Sequence, residues 1–358
     1  MWDRSHVWRG LMPTITDVSR KAGVSRSTVS RLIAGNGYVS ETARKAVEAA
    51  ILELGYRPNT MARGLRSNRS DIIGAVVVEV ASPFYAQMVG GMQKGARASG
   101  KSVLVASGYA DRDEEAHAII ELLDRACDGL ILYVENPLRN DVIEMIRTSH
   151  TPVVTIGGDE CPVATVTIHI DNFSGARDAM KLLLDEGHRA ISYLSGGLMY
   201  RDTHERLRGI AAALKQRGLR LEDIHVEHGE FAESFGLAAT ERLLASGRPV
   251  TAIFAGDDDV AAGALLALKQ AKKRVPEDIS LIGFDDNFHA RHLTPGLTTV
   301  RQPVDAIGRM AAELLAAILR GETPEATEIT IPTELVVRQS AGRVARGKST
   351  RETAELAR

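Results

Sequence analysis

The stretch TITDVSRKAGVSRSTVSRLIAGNGYVS, residues 14–40, decides how the amino-terminal part folds. Thr14-Ile15-Thr16-Asp17 has the Ser/Thr-x-x-acid form of a helix start, with the Thr14 hydroxyl placed to cap an amide that lacks an intrahelical partner. A short helix through Val18 and Ala22 then meets Gly23-Val24-Ser25, a turn whose glycine can take a positive φ. Ser25 is placed to cap a second helix from Arg26 to Ala34, and Gly35 stops it. On that helix Val29, Leu32 and Ile33 stand at i, i+3 and i+4 and share one inward face. Arg26, Ser27, Ser30 and Arg31 fall opposite, able to hydrogen-bond, as a helix entering a DNA major groove requires. A third helix from about Ser40 to Leu54 carries the apolar stripe Ala43, Ala46, Val47, Ala50, Ile51 and Leu54. The spacing predicts a helix-turn-helix with a supporting third helix.

Charge agrees with a DNA-docking role once its distribution is read. The whole chain of 358 residues carries −2, which alone argues against nucleic acid. Residues 14–69 nevertheless hold ten Lys/Arg against four Asp/Glu, a net of +6, and the 289 residues beyond carry −9. Arg57, Arg63, Arg66 and Arg69 lie in an acid-free run. A basic head on an acidic body describes a docking surface with a separate regulatory mass. Hydrophobic content of 44% with 25% charged residues is that of an ordinary globular protein with room for two or three domains. No apolar run approaches the ~20 residues needed to cross a membrane. The start, MWDRSHVWRGLMP, has no apolar secretory core, so the cytoplasm is expected. Cys127 and Cys161 lack metal or redox spacing and read as reduced thiols.

After the third helix, Pro58 disfavours helix at Arg57, and residues 59–66 have length for only about two helical turns. From Ile72 the texture becomes strand–helix alternation. Strands are expected at Ile72–Val80, Ser102–Ser107, Gly129–Val134, Pro152–Gly157 and Thr165–Ile170, with helices near Tyr85–Ser99, Glu114–Ala126 and Asp141–Thr148. A second series places strands at Ala190–Ser195, Asp223–Glu227, Thr251–Ala255 and Ser280–Phe284. Its helices are expected near Asn172–Glu186, Glu205–Arg217, Ser234–Ala245 and Asp258–Ala271. Such alternation means parallel sheets covered by helices, here as two doubly wound α/β lobes with a ligand cleft where strand C-termini meet.

Enzyme signatures are missing. No Gly-x-Gly-x-x-Gly follows a strand, and there is neither a phosphate-loop lysine nor a Gly-x-Ser-x-Gly turn. His204-Glu205 has no second histidine at zinc-protease spacing, and His225, Glu227 and His228 read as a polar strand end. The runs Asp257-Asp258-Asp259 and Asp285-Asp286 follow predicted strands and are expected to face the cleft. No enzyme, cofactor or metal is expected. A ligand-binding protein of the periplasmic type fits the body alone; the basic head and absent signal favour a regulator.

The head resembles the LacI/GalR family of bacterial repressors. TITDVSRKAGVSRSTVSRLIAGNGYVS followed by ETARKAVEAAILELGYRPNTMARGL carries the AGVSxxTVSR core, the GYxPN link and the MARGL hinge in family order and spacing. The resemblance implies an all-α helix-turn-helix domain at 14–58, a hinge helix at 59–69 and a two-lobed, periplasmic-binding-protein-like effector and dimerisation domain at 70–340. Three chain crossings between lobes are placed near 171, 300 and 330. Residues 1–13 read as disordered or as preceding the true start at Met12, and 341–358 as a disordered tail. That tail lacks the leucine heptads of a tetramerising coiled coil, so a homodimer is expected.

By the same resemblance, DNA is contacted from the head by Thr14, Thr16, Ser25, Arg26, Ser27, Ser30, Arg31, Tyr38 and Ser40. The hinge adds Asn59, Ala62, Arg63 and Leu65, with Leu65 as the apolar wedge in a central base step and Ala62 allowing two hinge helices to approach. The effector set is Ser82, Phe84 and Tyr85 from the first lobe with Asp171, Arg206, Phe231, Asp257 and Asp285 from the second. An arginine fork and carboxylates under an aromatic face suit a sugar, and a β-glycoside or galactoside is the first expectation. Asp257 stands where many sugar-binding relatives carry asparagine, so the ligand must donate there, and a nucleoside or amine-bearing effector stays open. Induction is the expected sense, with corepression the alternative.

Overall fold

The computed structural model describes residues 13–34, 37–57, 69–158 and 161–344, and the chain divides into two units, 1–70 and 71–358. The first unit comprises α1 (Ile15–Ala22), α2 (Arg26–Ala34) and α3 (Glu41–Leu54). The capping box forms as its spacing demands. Thr14 Oγ1 accepts the Asp17 N–H at 3.3 Å, and the Asp17 carboxylate accepts the Thr14 N–H at 2.9 Å. Gly23 and Gly55, at φ 67° and 61°, close α1 and α3 in the left-handed conformation. Val18, Val29 and Val47 are wholly buried at the centre, with Leu32, Ile33, Ile51 and Leu54 packed around them. The predicted inward face is the inward face. Gly35 and the hinge segment 59–66 lie outside the described residues.

The second unit opens with β1 (Ile72–Val77), α4 (Pro83–Ala98), β2 (Ser102–Ser107), α5 (Arg112–Asp124), β3 (Gly129–Leu132), α6 (Asn140–Ser149), β4 (Val153–Ile156) and β5 (Val166–Ile170). Then come α7 (Asn172–Asp185), β6 (Ile191–Ser195), α8 (Arg201–Lys215), β7 (His225–His228), α9 (Glu233–Ala245), β8 (Ala252–Ala255), α10 (Asp258–Gln270) and β9 (Ser280–Asp285). It ends with β10 (Thr298–Arg301), α11 (Val304–Leu319), β11 (Glu328–Ile331) and β12 (Glu334–Val336). These last four elements are absent from the sequence-predicted set. They build one sheet in the order β11-β5-β4-β3-β1-β2, parallel throughout, and a second in the order β12-β10-β9-β8-β6-β7, with only β12 antiparallel.

Both faces of each sheet are covered, so central strands such as β1, β3 and β8 run apolar without interruption. In β1, Ile73, Ala75 and Val77 enter one core with Met88 and Ile307, while Val76 enters the other with Ile119 and Leu122. Tyr193, Phe254 and Phe284 fill one face of the second sheet; Leu194, Ile253 and Leu281 fill the other. Helices α4 and α11 cross at backbone contact: a β-carbon at Gly91 would overlap the Asp305 carbonyl, and one at Gly308 the Met88 carbonyl.

The chain passes between lobes at Asp171, at Gln302–Pro303 and at Pro332–Thr333, close to the expected places. Asp171 N–H donates to the Ile331 carbonyl at 2.9 Å, and Thr333 Oγ1 donates to the Asp171 carbonyl at 2.9 Å, tying two crossings together. The tail expected from 341 is placed through 344, and 345–358 lie outside the described residues. Gly342 O lies 2.9 Å from His188 Nε2 and the Val344 N–H reaches Glu186 O at 3.1 Å, so 341–344 are docked on the second lobe. No helix among the described residues is long and apolar enough to cross a membrane.

Candidate functional site

The second helix of the first unit presents the surface its sequence predicts. Arg26, Ser27 and Arg31 are exposed, Ser30 is half-buried, and α2 has no acid in its first turn. Arg31 Nε donates to the Ser27 carbonyl at 3.4 Å. Ser25 Oγ accepts the Thr28 N–H at 3.1 Å, so it caps the helix that it begins. Thr14 and Ser40 serve as caps of α1 and α3 in the same way, and Thr16 is half-buried. Tyr38 is 86% exposed, an aromatic ring with no packing role in this unit. Asn59, Ala62, Arg63 and Leu65 lie outside the described residues.

In the second unit the loops after β1, β2, β3, β6, β7, β8 and β9 enclose a cavity of 730 Å3, within the ~300–1,000 Å3 range of small-molecule sites. Ser82, Phe84, Tyr85, Arg206, Phe231, Asp257 and Asp285 line it, so seven of the eight expected effector residues converge. Asp171 does not. Its carboxylate caps α7 by accepting the Ser174 N–H at 2.9 Å, a role that an acid at a strand-to-helix junction fills whether or not a ligand is near. Its neighbour Asn172, 2% exposed, accepts Arg206 Nε at 2.8 Å.

Arg206 organises the floor. It is 3% exposed, donates Nη1 to the Gly256 carbonyl at 2.6 Å, and lies 3.9 Å from the Phe284 ring centroid. Its Nη2 sits 3.8 Å from Asp202 and 3.9 Å from Asp285, without a hydrogen bond to either. Burial works against the guanidinium charge, and Asp285 and Asp202 outweigh it. Burial likewise drives Asp285 well above the carboxylate range against the pull of Arg206, and lifts Asp257 to about 7. Asp285 holds φ 109°, a conformation that favours glycine, with its carboxylate accepting Gln302 Nε2 at 2.6 Å from the lobe crossing. The other acids of these runs are structural: Asp258 accepts Thr299 Oγ1 and the Asn287 N–H, and Asp286 pairs with Arg301 and Arg338.

Several lining residues escape the sequence reading, among them Glu79, Tyr133, Glu135, Tyr200, Asp202 and Glu230. All follow strand C-termini, and that position is the signal that marks them. Tyr133 Oη donates to Asp202 at 3.1 Å and thereby links the two lobes across the cleft. Burial, then Asp202 and Glu115, push the Glu135 carboxyl from 4.5 up to about 8. The folded protein therefore holds an extra proton between those values, and stability falls as pH rises through that window. Glu135→Gln keeps an acceptor and removes the charge. It should gain on the order of 2–4 kcal/mol over the parent at about pH 8.5 and nothing at about pH 4.5. Thermal melts at the two pH values check this, and an equal shift at both would refute burial as the cause.

The chain's relatives share both units. Residues 14–59 match the bacterial regulatory proteins of the lacI family, and residues 180–341 a periplasmic binding protein-like domain. The HTH-type transcriptional regulator GalR of Escherichia coli strain K12 is 36% identical over 92% of this chain and 96% of its own. The lac repressor dimer bound to operator and the anti-inducer ONPF has a TM-score of 0.82 at 28% identity, covering 92% of this chain and 99% of that one. A CelR–cellobiose complex has a TM-score of 0.69 at 34% identity, covering 92% and 100%. The chain belongs to the lacI family of bacterial regulatory proteins, as a DNA-binding transcription regulator with a helix-turn-helix head and a periplasmic-binding-protein-like core.

Proposed function

We propose that this regulator is a cytoplasmic homodimer that represses carbohydrate-metabolism genes and leaves its operator when a sugar or glycoside fills the cleft. The observation that carries the reading is the cavity itself. A buried arginine, carboxylates and the Phe231 ring, drawn together from both lobes, supply the donors, acceptors and apolar face that a pyranose needs. The sugar-bound CelR relative supports the same ligand class. Ser82, Phe84 and Tyr85 would hold the ligand from the first lobe, and Arg206, Phe231, Asp257 and Asp285 from the second. Residues 59–69 act as the hinge, with Leu65 as wedge. An effector shifts DNA affinity only by binding one lobe arrangement better than another.

On the DNA side, Arg26 and Ser27 read base edges at the start of α2, and Arg31 adds affinity. Arginine pairs with guanine O6 and N7, and losing such a contact costs about 1–3 kcal/mol. Arg26→Ala should therefore relax base preference in each half-site of an imperfect palindrome. Selection of bound sites from a random library, parent against variant, tests this. An unchanged motif would reject Arg26 as the reader.

A further inference from the structure

The lining of the cleft holds more acid than a neutral sugar requires. Seven carboxylates border it against the one guanidinium of Arg206 among the described lining residues. That guanidinium is already engaged by Asn172, Gly256, Asp202 and Asp285. Glu135, from the first lobe, lines the same cavity as Asp202, from the second, which raises its carboxyl against the pull of Arg206. The Arg201 backbone N–H donates to Glu135, and the Arg201 guanidinium donates to the Gly158 carbonyl. Three tyrosines share this wall. Tyr85 and Tyr133 meet edge to face with centroids 5.1 Å apart, and Tyr200 lies across from them on the other lobe. Carboxylates beside aromatic rings in a half-buried recess form the environment that attracts an ammonium ion. An anionic ligand such as a sugar phosphate would be repelled there.

We infer that the effector presents a protonated amine to Glu135 and Asp202, and is an amino sugar or an amine-bearing glycoside. The inference rests on the reading of the cavity as the effector site. One N–H group of the ammonium bonds to the Glu135 carboxylate and another to that of Asp202, bridging the lobes where the Tyr133–Asp202 bond now links them. Burial and the nearby Asp202 hold the Glu135 carboxyl raised, and a seated ammonium would draw it back down.

The test uses full-length protein and matched ligands that differ in one substituent: glucosamine against glucose, galactosamine against galactose, and the glucosamine disaccharide of chitosan against cellobiose. Calorimetric titration should give at least one amine form binding about tenfold or more tighter than its hydroxyl counterpart. N-acetylation should abolish that advantage. Glu135→Gln and Asp202→Asn, each verified as folded by its melting transition, should reduce the preference below about threefold. A neutral sugar that binds as tightly as its amine, and loses binding in Arg206→Ala, would overturn the inference while the cleft assignment stands. Failure of every sugar to bind would overturn both.

Discussion

Arg206→Ala is expected to bind operator as the parent does and to ignore the effector, giving permanent repression. The arginine occupies the centre of the cleft floor, and its Nη2 edge is the part without a hydrogen bond in the structure. Removing it deletes the proposed ligand contact and leaves Asp257 and Asp285 buried without their cation. Breaking a buried pair costs about 3–5 kcal/mol when the remaining charge persists. Here both carboxyls already titrate high, so they take up protons and the loss is smaller at low pH. The sign follows from linkage. Without Arg206 the folded-state carboxyls rise further, the native state holds more protons than the unfolded one, and stability falls with increasing pH above the ordinary carboxylate range. Arg206→Lys keeps the charge and loses the planar fork, so it should recover stability and not the response. Melts across pH with effector-dependent operator titrations separate the two roles. A folded Arg206→Ala dimer that fails to bind operator without ligand would make Arg206 structural.

Gly91→Ala should be strongly destabilising to the first lobe, and Gly90→Ala harmless. Both lie on α4, one residue apart. A β-carbon at Gly91 would overlap the backbone of Asp305 on α11, which cannot yield as a flexible side chain can, while one at Gly90 meets nothing within 4 Å. Overpacking against side chains costs about 1–3 kcal/mol, and a backbone clash exceeds that because the helix pair must separate. Gly90→Ala should gain up to about 1 kcal/mol from helix propensity. Urea unfolding of the two variants checks this, and a loss below about 1 kcal/mol for Gly91→Ala would show that α4 and α11 can separate cheaply.

Much of this fold is legible locally. Thr14 with Asp17, Gly23, Ser25 and the Val29-Leu32-Ile33 face each announce a cap, a turn or a core, and the structure uses them so. The strands of both lobes are apolar runs with clear ends. What escaped was non-local. After β10 the chain leaves the second lobe, sends α11 and β11 to the first, and returns for β12. Strands β11 and β12 are three or four residues long and half-exposed, so no periodicity marks them. Predicted β1 overruns because Val78 and Val80 continue its apolar texture, while Val78 and Glu79 already leave the sheet to line the cleft. Asp171 caps α7, and in sequence a helix cap and a ligating acid look alike. Glu135 and Asp202, 67 positions apart, become neighbours only through the meeting of two lobes.

Titration of labelled operator with the full-length protein, with and without a ligand shown by calorimetry to occupy the cleft, tests the central claim directly. Coupling of about 1–3 kcal/mol corresponds to roughly 5–150-fold, so saturating ligand should weaken operator binding by that factor in the parent and leave Arg206→Ala unchanged. Operator affinity that stays the same while the cleft is demonstrably full would contradict it.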